Sequence, residues 1–130
     1  MFRLVKVLNG NIQHETQKLA FGSTMSIGQG CALVCNNGSA STPSATAFPE
    51  YISLQSNSDP NLKKINTMLV TEDMIFKVEI TGSAKPSLGM TVALATKDYK
   101  MDAVTYNSSG KGTIVALDDE PELVYVRFRK

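Results

Sequence analysis

The sequence predicts an all-β protein: a small single-domain β-barrel or β-sandwich of about eight to ten short strands, with an N-terminal arm. Three observations carry this. Met74, Phe76, Val78 and Ile80 alternate with Ile75, Lys77 and Glu79, the period-two pattern of a half-buried strand. Turn signals recur every eight to twelve residues or so, the spacing of sandwiches and barrels. Two stretches also echo each other. Ser26-Ile27-Gly28-Gln29-Gly30-Cys31-Ala32-Leu33 matches Ser87-Leu88-Gly89-Met90-Thr91-Val92-Ala93-Leu94 in serine, aliphatic, glycine, alanine and leucine. Each echo is followed by a polar loop and a β-rich segment, residues 51–54 and 113–117, so two similar halves are expected to close one barrel.

Taken in order, residues 1–19 read as an N-terminal arm or hairpin, and residues 20–130 as the barrel domain. Residues 2–8 mix apolar and basic side chains, and Asn9-Gly10-Asn11 is a strong turn signal. An edge strand of the same barrel is the alternative for this segment, and both readings stay open. A strand over 29–35 closes at Asn36-Asn37-Gly38. Residues 39–46 are small and polar and read as a loop. Residues 51–54 form a short strand. Residues 65–70 and 74–80 form the central pair, with Thr71-Glu72-Asp73 as a bend between them. Further strands are expected over 90–95, 103–106, 113–117 and 123–128. Asn107-Ser108-Ser109-Gly110-Lys111-Gly112 and Asp118-Asp119-Glu120-Pro121-Glu122 are the turns between the last of these.

Composition narrows the function. Hydrophobic residues make up 42% of 130, which excludes disorder of the whole chain. Thirteen basic against twelve acidic side chains leave a net charge of +1, unlike a dedicated nucleic-acid binder or a polybasic membrane-surface protein. No apolar run approaches the ~18 residues of a membrane span, and residues 2–8 are too short for a signal peptide. A cytosolic site of synthesis and assembly is expected.

Cys31 and Cys35 are ~13 Å apart if extended, beyond disulfide reach. With His14 as the only histidine, the ligands for a zinc site are too few. The thiols are therefore expected to be packing groups. Gly110-Lys111-Gly112 lacks the glycine spacing of a phosphate loop, and residues 118–122 lack that of a calcium loop. No catalytic constellation is found, so no enzymatic activity, cofactor or metal is expected.

Several segments together resemble a known family. They are Pro49-Glu50-Tyr51-Ile52-Ser53; residues 65–70; Thr71-Glu72-Asp73-Met74-Ile75-Phe76; Leu88-Gly89 with Val92; and Val124-Tyr125-Val126-Arg127-Phe128. Their order and spacing resemble the capsid decoration, or head-stabilising cement, proteins of tailed bacteriophages. The resemblance covers about residues 47–128. It implies a structural virion protein on the outer capsid surface, partnered by the major capsid protein and assembled in the host cytoplasm. By analogy it implies self-association, as trimers. A tail or head–tail component, and a nucleic-acid or ligand-binding small barrel, are the alternatives. The matching segments nominate no contact residues. The apolar and basic arm does so on physical grounds: Phe2, Arg3, Leu4, Val5 and Lys6 would add a strand to an exposed capsid edge.

Overall fold

In the computed structural model, which describes residues 1–8 and 15–130, every regular element among the described residues is a strand. The turn expected at Asn9-Gly10-Asn11 and the position of His14 lie outside them. The strands are β1 (Arg3–Val7), β2 (Thr16–Phe21), β3 (Ala32–Asn36), β4 (Ser39–Ser41), β5 (Tyr51–Ser53), β6 (Lys64–Leu69), β7 (Met74–Thr81), β8 (Thr91–Ala95), β9 (Ala103–Tyr106), β10 (Gly112–Leu117) and β11 (Leu123–Phe128). The all-β expectation holds. β4 is new: it falls where small polar residues suggested only a loop. Asn37 and Gly38 both have positive φ, 52° and 79°, so a two-residue turn sends the chain straight back onto β3.

The two halves close two barrels rather than sharing one. β2, β4, β3, β5 and β6 form a closed ring, and β7, β11, β10, β8 and β9 form a second, sealed by the β7–β9 pairing. Both rings have the same topology. The first strand of each half runs parallel to the third, β2 with β4 and β7 with β9. All other neighbours are antiparallel, and the fifth strand returns to the first, β6 to β2 and β11 to β7. The echoed stretches lead into β3 and β8, the second strand of each ring. Their alanine–leucine pairs, Ala32-Leu33 and Ala93-Leu94, are buried alike. The short sequence match thus marks a structural repeat.

Residues 71–73 are the joint between the rings. The central pair expected from the sequence is split: β6 pairs with β2 and β5, while β7 pairs with β1, β11 and β9. What unites the pair is the core. Ala32, Ile52, Met68 and Val70 from the first half pack with Met74, Phe76, Val78, Val92, Val124 and Phe128 from the second. A smaller cluster of Leu19, Ile27, Leu33, Ala40 and Ile65 fills the first barrel. Backbone bonds cross between halves as well, from Ala32 N–H to the Met101 carbonyl and from Leu94 N–H to the Ala45 carbonyl, both 2.9 Å.

β1 is an integral strand, which corrects the free-arm reading. It pairs antiparallel with the first half of β7, Arg3 opposite Lys77, Leu4 opposite Phe76 and Val7 opposite Met74. The reason is Phe2. Its ring is 3% exposed and meets Phe76 and Phe128 at centroid distances of 6.1 and 5.8 Å. The apolar surface that suggested an external partner is covered by the molecule's own core.

Close backbone contact fixes the turn before β10. A Cβ on Gly110 would overlap the Val92 carbonyl and lie 2.7 Å from the Ala93 nitrogen. Backbone atoms in a paired strand have little room to move, so Gly110→Ala is expected to cost about 1–3 kcal/mol, the range for overpacking. Urea denaturation checks this, and an unchanged midpoint would contradict the close approach.

Candidate functional site

Three surface features are candidates. The first is an apolar patch on the second barrel. β10 carries a bulge between Ile114 and Ala116, so Val115 is an extra residue without a partner on β11 and is 40% exposed. Leu117, past the bulge, pairs with the buried Val124 and so lies on the other face, at the strand's end, 48% exposed. Gly89 N–H bonds the Ile114 carbonyl at 2.9 Å, which sets Leu88 beside Val115 one residue beyond that bond. Leu88 is 66% exposed. Tyr99 and Tyr106 are also exposed on this half, whereas β2 to β6 present no large exposed hydrophobic side chain. Scattered exposed apolar residues are ordinary, but neighbouring ones confined to one half point to a contact surface.

The second is a charged cleft of about 400 Å³ beside β1, lined by Arg3, Lys77, Glu79, Lys97, Glu120 and Glu122 among others. Its charges neutralise one another. Lys97 pairs with Glu79, and Lys77 approaches Asp118 at 3.7 Å. The Lys97 bond, helped by the N-terminal amine, holds the Glu79 carboxyl below its usual range. Asp118 accepts from the Tyr125 hydroxyl at 2.9 Å. Charges of both signs line the cleft, which works against steering a ligand of one charge.

The third is a groove of about 540 Å³ lined by Val34, Ala47, Phe48, Glu50, Tyr51, Leu69, Val70 and Lys130. Its polar groups are also occupied: Glu50 accepts the Cys35 N–H at 2.8 Å, and the Lys130 ammonium sits 5.5 Å from the Phe48 ring centroid.

The residues nominated from sequence are dispersed by the fold. Phe2 is in the core, 3% exposed, and is not available as a contact in the folded protein, while Leu4 is half-buried over it. Arg3, Val5 and Lys6 are exposed; the β1 bulge between Leu4 and Lys6 adds one residue, so Val5 and Lys6 both face outward and Val7 returns to the core side. Cys31 and Cys35 are free thiols, the first buried and the second half-buried. Burial pushes the Cys31 thiol above its usual pKa. Among the described residues no three His, Cys, Asp or Glu side chains gather as metal ligands.

One carboxylate is buried for structural reasons. Asp102 is 3% exposed and accepts the N–H groups of Lys97, Asp98 and Tyr99 at 2.8, 3.0 and 2.9 Å. Burial alone would raise its pKa; the three N–H donors outweigh this and hold it below the usual carboxylate range. The folded state therefore prefers the ionised form. Its contribution is fully present above the unfolded value, ~3.9, and fades as pH falls through the lower folded value. Asp102→Asn is expected to lower stability at pH 7 by about 1–3 kcal/mol. The gap from the parent should shrink on acidification below about pH 4. Denaturation midpoints at pH 7 and pH 3 test both parts, and a pH-independent gap would contradict them.

No protein-family model matches this chain, and no curated protein matches it in sequence.

Proposed function

We propose that this protein is a non-enzymatic structural component of a tailed-bacteriophage virion that binds the outer surface of the assembled capsid and stabilises it. Its partner on this reading is the major capsid protein. The observation that carries the proposal is the exposed apolar pair Leu88 and Val115 on the second barrel. The pair gives the second barrel a surface suited to another protein. The segments that resemble decoration proteins support the reading from a second side. They form β5, β6, β7 and β11 and lead into β8, the frame around the shared core. A near-neutral net charge also suits many copies crowded on one shell.

The test is co-sedimentation with capsids that lack the protein, with free capsid subunits in parallel. Saturable binding to assembled capsids alone is expected. Leu88→Glu with Val115→Glu should reduce it at least about tenfold, the effect of losing 1.4 kcal/mol or more, without changing the melting temperature by more than a few degrees. Binding to isolated tails instead of heads would move the protein to the tail. Steeply salt-dependent binding to single-stranded nucleic acid would replace the structural reading altogether.

A further inference from the structure

The repeat exposes an asymmetry. In the second barrel, the first half of β7 pairs with β11 on one side and with β1 on the other. In the first barrel, β2 stands in the place of β7. It pairs with β6 along residues Thr16 to Ala20, but its other side meets β4 only at Ala20 and Phe21. Among the described residues, nothing pairs with the far side of β2 before Ala20.

The groups that face this open side follow from the bonds on the other. Leu69 N–H bonds the Glu15 carbonyl at 2.9 Å, and the Thr67 hydroxyl donates to the Gln17 carbonyl at 2.8 Å, so Glu15 and Gln17 turn toward β6. The Ala20 carbonyl accepts from the Ser39 hydroxyl on the opposite side. Backbone groups alternate along a strand. Thr16 and Lys18 therefore direct both N–H and C=O outward, and both residues are exposed. A bare edge of this kind is a template for another strand.

The surroundings specify what fits. Lys18 stands opposite Asn66, and Lys64 lies diagonally across from it on the same outer face, with Lys63 next in the chain. All three lysines are exposed. No lysine or arginine on an incoming strand suits this corner; an acidic side chain opposite Lys18 does.

We propose that the β2 edge at Thr16 and Lys18 is a docking edge that takes an extended, acidic segment of the capsid surface as an added antiparallel strand, as β1 is added to β7. The identity of the partner rests on the capsid reading; the edge and the charge preference do not. The protein would thus accept a strand from its partner rather than donate one.

Proline tests the edge selectively, because among the described residues the Thr16 and Lys18 N–H groups make no bond within the barrel and proline is tolerated at such positions. Thr16→Pro with Lys18→Pro is expected to keep the parent's melting temperature within a few degrees and to bind undecorated capsids at least about tenfold more weakly. Amide exchange over residues 15–21 of the parent should slow on capsid binding. If the proline variant misfolds, Lys18→Glu with Lys64→Glu replaces it, with the same loss of binding expected. Parent protein that binds capsids with no added protection at 15–21, and whose folded variants bind equally, would overturn the edge proposal while leaving the capsid reading intact. Failure of the parent to bind any capsid would overturn the capsid reading. The edge is then decided by a synthetic peptide alternating threonine and glutamate. Slowed exchange at Thr16 and Lys18 that is lost in the edge variants, and absent with a threonine–lysine peptide, supports the edge; no effect overturns it.

Discussion

Deleting residues 1–8 is expected to destabilise the protein by more than about 5 kcal/mol, enough to unfold a domain of ordinary stability. The deletion removes a ring that packs between two others: Phe2 lies 6.1 Å from Phe76 and 5.8 Å from Phe128. A buried phenylalanine alone contributes about 3–5 kcal/mol. The deletion also strips the pairing partner from the first half of β7, leaving its backbone groups to water. The Gly30 carbonyl loses the Phe2 N–H that bonds it at 2.9 Å, one of the ties between the halves. Circular dichroism and a thermal melt of the truncated chain measure the effect. A cooperative transition near that of the parent would mean that β1 is dispensable and would restore the free-arm reading.

Phe76→Ala should cost about 3–5 kcal/mol by the same reasoning. Phe76 is fully buried, at the centre of the β7 face that it shares with Met74 and Val78. Its neighbours come from both ends of the chain, Phe2 in T-shaped contact and Phe128 tilted at 6.4 Å. Little can collapse into the space because the flanking strands hold one another. Urea denaturation gives the loss directly, and a value below about 1 kcal/mol would mean that the β7 faces are assigned the wrong way round. A double-mutant cycle with Phe2→Ala should show a coupling of about 0.5–1.5 kcal/mol, as edge-to-face aromatic pairs do.

β7 and β11 were legible in the sequence because each buries one face, and alternation reports that directly. β4 was not. Ser39-Ala40-Ser41 has no apolar contrast, and only the Asn37-Gly38 turn behind it dictates the pairing. The division into two rings was hidden for a different reason: period two tells which face of a strand is buried and says nothing about which strand lies beside it. The echo of 26–33 in 87–94 was the available signal. Its correct reading needed the closure of each ring, which depends on long-range pairings such as β2 with β6. The exposed apolar pair was hidden as well. Val115 sits among apolar neighbours whose letters are the same inside and out, and nothing in its letter says that it follows the buried Ile114 onto the outer face. Phe2 misled in the opposite direction. Its apolar character was visible, but the partner that covers it lies more than seventy positions away, at Phe76.

That separation matters while the chain is being made. β1 is made well before the strand it joins, which begins at Met74. At roughly 5–20 residues per second, several seconds of translation pass in between. Throughout that interval Phe2, Leu4 and Val7 have no site, while the strands of the first ring emerge and find one another. The second ring cannot acquire its central aromatic trio until Phe128 has been made. The nascent chain therefore carries a sticky segment, residues 2–7, that waits while the first barrel closes, and chaperones that cover short apolar segments near the ribosome should meet this protein there.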